Sequence, residues 1–104
     1  MEYVIGIDLG TQGTKTVIYD REGKSAAEAF EKSRLIYGEK GRVEQDPADM
    51  LGSCIRTIRQ AVEQGGIDAK DIVALSVDGQ MAGIMAIAQD GSNLTPYDLS
   101  LIHI

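Results

Sequence analysis

Tryptophan is missing from this chain of 104 residues, cysteine and histidine occur once each, and proline only twice. Four tyrosines and one phenylalanine are the only aromatics, so any core rests on Ile, Val, Leu, Met and Ala. The lone Cys54 cannot form an internal disulfide, and there is no set of Cys and His to hold zinc. Basic residues are also scarce: 10 Lys and Arg stand against 16 Asp and Glu, for a formal charge of −6. They are scattered, and the nearest thing to a cluster, Arg56 and Arg59, reads as a solvated helix face. That excludes a non-specific nucleic-acid binder and a polybasic membrane anchor. No apolar run approaches the ~18–20 residues needed to span a bilayer. The start, MEYVIGIDLG, lacks a basic n-region and an apolar h-region, so no signal peptide is expected. These absences predict a soluble, cytoplasmic protein with neither nucleic acid nor membrane as partner.

What is present is a globular composition. Apolar residues make up 43% of the chain, too many for a disordered tail at this net charge. The length allows one modest domain, able to bury roughly two-thirds of its unfolded surface. Glu2–Leu9 (EYVIGIDL) and Thr14–Asp20 (TKTVIYD) read as strands, joined by GTQG, which supplies the glycines of a tight hairpin connection. Arg21–Lys24 is a second turn. The stretch from Lys24 to Tyr37 has two readings: a helix, favoured by its alanines and the Ser25–Glu28 spacing, or a third strand continuing the meander. Gly38–Gln45 reads as a loop. Pro47–Gln64 is the clearest helix, with Asp46 at the N-cap, Pro47 at its first position and Gly65-Gly66 ending it. Met50, Leu51, Cys54, Ile55, Ile58, Ala61 and Val62 form its apolar stripe. Cys54 falls on that stripe as a small buried hydrophobe. Ile72–Val77 (IVALSV) suits a buried parallel strand, and Gly83–Ala88 (GIMAIA) a further one. Strands flanking one crossover helix make the fold class α/β.

The strongest chemical feature is Asp8-Leu9-Gly10-Thr11-Gln12-Gly13-Thr14-Lys15. A carboxylate at a strand end can hold Mg²⁺ directly or through its waters. Gly10 and Gly13 let backbone N–H groups approach phosphate oxygens, Thr11 and Thr14 offer hydroxyl donors, and Lys15 brings a compact positive charge. The P-loop pattern fails because Thr14 precedes Lys15 where glycine is required, and the Rossmann spacing fails too. Both also need a following helix, whereas Val17-Ile18-Tyr19 reads as strand. The alternative is an ordinary hairpin whose Asp and Thr merely stabilise the turn.

IGIDLGTQGTKTVIYDREGK resembles the first phosphate motif of the actin-like ATPase superfamily. VEQDPADM (43–50), VDGQMAG (77–83) and Thr95-Pro96-Tyr97-Asp98 are similar to segments of the FGGY carbohydrate kinases, xylulokinase-like ones in particular. The resemblance covers residues 3–98 and implies an incomplete ribonuclease H-like, actin-like ATPase lobe, with a strand rather than a helix after the second turn. It implies ATP and Mg²⁺ as cofactors, with Asp8 at the metal and Gly10, Thr11, Gln12, Gly13, Thr14 and Lys15 around the phosphates. Gln80, Met81, Ala82 and Asp98 would lie at a sugar or polyol substrate. Met81 has a plainer reading as core filler. Ala82 stands where xylulokinases usually carry His, which puts d-xylulose in doubt as the substrate. The family's catalytic Asp would lie downstream of residue 104, and Asp78 is no substitute for it. A homodimer of the full-length protein is compatible with this assignment.

The last six residues, LSLIHI, do not continue the family pattern, which would run on with Ser, Trp, Leu and Asp. They match the translation of a transposase adapter used in sequencing-library preparation. Residues 1–98 are therefore expected to be a partial N-terminal kinase domain and 99–104 a non-native tail, which sets aside His103 as a general base. Two other functions share some features: a stand-alone phosphate-binding module, and a chaperone-type ATPase, which gives no reason for VEQDP or GQM. The fragment alone is expected to be inactive, and poorly soluble because IVALSV and GIMAIA lack packing partners.

Overall fold

The computed structural model of the chain describes residues 1–80 and 85–98. Strands β1 (Tyr3–Leu9) and β2 (Gly13–Tyr19) pair antiparallel, with Ile5 opposite Ile18 and Asp8 opposite Lys15. Strand β3 (Ser25–Lys32) adds to the outer edge of β2, again antiparallel. The strand reading of this stretch holds, and the alanines that favoured a helix are overridden by pairing and by a helix packed on them. It ends earlier than Tyr37, however, because the chain breaks at Ser33-Arg34 and resumes as β4 (Leu35–Tyr37). The segment 38–45, expected as loop, contains a single 3-10 turn at Glu39–Gly41 and a short strand β5 (Val43–Gln45) paired with β4. Polar composition had hidden β5, whose ladder is a tertiary contact that no local propensity encodes.

Helix α1 (Pro47–Gly65) starts and stops as its caps dictate. The Asp46 carboxylate accepts the Ala48 amide at 3.0 Å, and Pro47 occupies the first position, where its missing N–H is harmless. At the far end Gly66 has φ +60, and the Ile67 amide closes onto the Val62 carbonyl at 3.1 Å. The helix carries the chain across the sheet, so that β6 (Ile72–Asp78) returns parallel to β1. The sheet order is β3-β2-β1-β6, and a separate small sheet has the order β4-β5-β7, where β7 is Tyr97–Asp98. In the expected strand 83–88, Gly83 and Ile84 lie outside the described residues. The remainder forms only an isolated bridge between Ile87 and Asn93.

The core lies between α1 and the β1–β3 side of the sheet: Ile5, Ile7, Ile18, Ala29, Ala61 and Ile67 are buried together. The face that α1 buries is offset from its apolar stripe. Ser53, Thr57 and Ala61 are its buried residues, Cys54, Ile58 and Val62 pack at the margin, and Leu51 and Ile55 are exposed. The cause is a pair of hydroxyl contacts to β2. Thr14 Oγ1 lies 2.7 Å from Ser53 Oγ, and Thr16 Oγ1 lies 2.7 Å from Thr57 Oγ1. Ser53 also donates to the Met50 carbonyl at 2.7 Å and Thr57 to the Ser53 carbonyl at 2.8 Å. Each hydroxyl has one proton, so Thr14 and Thr16 are the donors across the interface. Cys54 is half-buried, a margin residue rather than a fully buried one. Burial pushes its thiol pKa up, which disfavours the thiolate form.

Candidate nucleotide and substrate site

Strand register brings the first half of the site together. Asp8 lies beside Lys15 on β2 and beside Asp78 on β6, while Lys15 lies beside Phe30 on β3. Alternate residues share a face, so Gly6, Val17 and Ser76 form the next row, with Tyr19 beyond Val17. Asp8, Lys15 and Asp78 thus line an open groove of about 320 Å³ on the sheet face away from α1. Lys15 Nζ is 3.9 Å from Glu28 Oε2, with both side chains more than half exposed. A loose surface pair of this kind holds the ammonium weakly and leaves it free to turn to an anion.

The second half is the loop at the end of β1. The Gly10 amide donates to the Gly13 carbonyl at 3.0 Å, leaving Thr11 and Gln12 at the tip. Among the described residues the Thr11 and Gln12 amides have no acceptor, so the tip presents unspent N–H groups. The glycines serve a different purpose from the one a tight hairpin suggests, since neither Gly10 nor Gly13 has a positive φ. At Gly13 a Cβ would run into the Phe30 ring and sit 2.7 Å from the Glu31 carbonyl oxygen. The position is glycine because β3 presses against it. The loop is tied down from outside: the Ser33 amide donates to the Gln12 carbonyl at 3.0 Å and Ser33 Oγ to the Gly10 carbonyl at 3.2 Å. Gln80 Nε2 also donates to Gly10 O, at 3.2 Å, and to Gln45 Oε1 at 3.1 Å.

Thr14 requires a correction. Its hydroxyl was expected at the phosphate, but the side chain is 1% exposed and donates to Ser53 on the opposite face of the sheet. Neighbouring strand residues point to opposite faces, so Thr14 and Lys15 cannot both serve one side. That signal was present in the sequence and outweighs the residue type. Asp98, expected at the substrate, lies in β7. It pairs with Glu44 across β5 and β7 and lines a separate depression of about 490 Å³ with Arg42. Met81 and Ala82 lie outside the described residues. Gln80 is at the loop, with its amide nitrogen turned to Gly10. Ser33 and Gln45 were not foreseen: nothing local marks Ser33, and Gln45 stood out only as part of the VEQDP segment.

Among the described residues, no three acidic, His or Cys side chains gather as a ready-made metal site, and no helix is long and apolar enough to cross a membrane. Mg²⁺ makes a smaller demand, since it keeps most of its waters and is commonly held by one or two carboxylates. Asp8 and Asp78, neighbours in the strand register and lining the same open groove, are the carboxylates that could hold it. The ion pairs of the covered side are structural. Arg56 grips Glu31 with two hydrogen bonds of 2.7 and 2.6 Å and reaches Asp49 at 3.2 Å, holding the Glu31 carboxyl below the usual range.

A mixed sheet of two antiparallel hairpin strands, a third strand and a parallel return through one helix, with an acid-and-glycine loop at the hairpin, defines a lobe of the actin-like ATPase fold. A ligand-bound xylulose kinase from Lactobacillus acidophilus superposes with a TM-score of 0.84 at 33% identity, over 94% of this chain and 19% of that one. A xylulose kinase of Bacillus subtilis is 40% identical over 90 residues, 86% of this chain and 18% of the relative. A glycerol kinase of Leptothrix cholodnii is 35% identical over 80 residues, 77% of this chain and 16% of that protein. The sequence model of the FGGY family of carbohydrate kinases, N-terminal domain, matches residues 3–101. The chain belongs to the FGGY family of carbohydrate kinases. It spans about a fifth of the length of the relatives it matches.

Proposed function

We propose that the chain is the N-terminal part of an ATP-dependent carbohydrate kinase that moves the γ-phosphoryl group of ATP to a hydroxyl of a sugar or polyol. The observation that carries this reading is the row Asp8–Lys15–Asp78 on an open sheet face beside a loop with two unspent amides. Bound Mg·ATP supplies the transferable phosphoryl group and the metal charge that neutralises it. For their part, the Thr11 and Gln12 amides and the Thr11 hydroxyl donate to phosphate oxygens, and Gly13 and Thr14 contribute through backbone alone. Lys15 adds a mobile positive charge, and Asp8 holds the metal or its waters. Phosphoryl transfer depends chiefly on such positioning and charge balance. Gln80 and the segment after it contribute to the acceptor side, where Ala82 in place of His leaves the particular sugar open. Asp98, one residue along from the Tyr97 that faces Gln45, is assigned to the same side.

The base that orients the acceptor hydroxyl is expected beyond residue 104, so the chain alone transfers nothing. Asp78 is not assigned that role: its Oδ1 accepts the Gly79 amide at 3.0 Å, and it is the strand neighbour of Asp8. The test is Mg²⁺-dependent ADP formation by the full-length protein across a panel of ketoses and polyols. An acceptor should stimulate turnover, and Asp8→Ala should lower it about 100-fold or more. No stimulation by any acceptor, or an Asp8→Ala protein as active as the parent, refutes the reading. Sequencing the source locus past codon 98 decides whether LSLIHI is native.

A further inference from the structure

The Gly10 carbonyl is where three segments distant in sequence meet. It accepts Ser33 Oγ and Gln80 Nε2, each at 3.2 Å, and the same Nε2 donates to Gln45 Oε1 at 3.1 Å. A carboxamide nitrogen has two protons, and here both are committed. Turning the Gln80 amide over would set its oxygen against two other oxygens, so its orientation is fixed. Gln80 Oε1 contributes nothing to that orientation: it is buried and has no partner among the described residues. A buried acceptor left unpaired is costly, so this side chain is not placed for stability alone. Gln45 is 2% exposed and is held in the middle strand of the small sheet, between Leu35 and Tyr97.

We infer that Gln45 is a positioning residue: it holds the Gln80 amide against the Gly10 carbonyl and thereby locks the phosphate loop to the segment that follows β6. This rests on the kinase reading above, in which the loop carries the donor phosphate and residues after Gln80 carry the acceptor. Transfer in line requires those two ends to be aligned closely, and a small slip costs rate before it costs binding. The link therefore acts on kcat more than on either KM. The decisive chemistry is asymmetric. At position 45 only an oxygen acceptor is needed, whereas at position 80 a donor is needed.

The experiment uses the full-length protein with Mg·ATP and its best acceptor. Gln45→Met, which removes the acceptor at similar volume, should lower kcat about tenfold or more and leave both KM values within about threefold. Gln45→Glu, which keeps an oxygen acceptor in either protonation state, should recover most of the rate. Gln80→Glu, which leaves at most one donor proton for two acceptors, should not. Wild-type kcat in Gln45→Met, or Gln80→Glu outperforming Gln45→Glu, overturns the inference. Amide exchange provides a readout independent of activity. The Gly10 and Ser33 amides, whose bonds close the loop, should exchange about tenfold faster in Gln45→Met, with the α1 amides unchanged. Unchanged loop exchange overturns the inference as well. If the unmodified protein phosphorylates nothing, the kinase reading falls while the exchange result still decides whether Gln45 holds the loop.

Discussion

The two ends of the four-stranded sheet share a pleat and a taste for aliphatic residues, yet only one end is covered. On β2 and β3, under α1, Ile18 is wholly buried. On β6, Ile72 packs against the core, but Val73, Leu75 and Val77 remain 56%, 51% and 52% exposed. The run IVALSV was expected to be a buried parallel strand. It is parallel, and in this chain it is not buried. A strand's composition records what it is built to pack against, and its burial depends on whether that partner is present. The uncovered end fits a chain that spans about a fifth of the length of its relatives.

Three measurements test that contrast. The largest effect is expected at the covered end, where Ile18→Ala should destabilise by about 2–5 kcal/mol in urea unfolding, since α1 cannot collapse onto the space left. A loss below about 1 kcal/mol would mean the helix holds the sheet loosely. A smaller effect should appear in acid. The Arg56 hydrogen bonds lower the folded-state pKa of Glu31 below its ordinary 4.5. Its contribution is therefore complete above that pH and is lost as pH falls through the lower folded value. Glu31→Gln should flatten the decline of thermal stability below about pH 4.5, and an unaltered decline would remove Glu31 from the account. The smallest effect is expected at the open end. Leu75→Ala should change the stability of the isolated chain by no more than about 0.5 kcal/mol. The same substitution in the full-length protein should cost several times as much, and equal costs in both would show that β6 stays uncovered there.

The sequence made the hairpin, the helix caps and the parallel return legible because each has a local cause: β-branched runs, Asp46-Pro47, Gly66, and a helix long enough to cross. The connection from Asp8 to Lys15 was legible as a turn between two strands for the same reason, since its residues are contiguous. Three things were not. The buried face of α1 centres on Ser53 and Thr57, whose hydroxyl partners sit 39 and 41 residues away on β2. The strand β5 exists only through β4 and β7. The link among Gly10, Gln45 and Gln80 joins positions 35 and 70 residues apart, and no spacing rule predicts it.

The hydroxyl contacts between α1 and β2 also set the mechanics of the lobe. Four residues of helix rise about 6 Å, and two residues of strand about 6.7 Å. Ser53 and Thr57 therefore meet Thr14 and Thr16 in step, like two teeth of one rack. Sliding the helix by a residue would break both contacts and strand two buried hydroxyls. Thr14 also follows Gly13 directly, so the loop between β1 and β2 ends where the strand is tied to α1. The start of β2 and the middle of α1 are thereby registered to each other at two points.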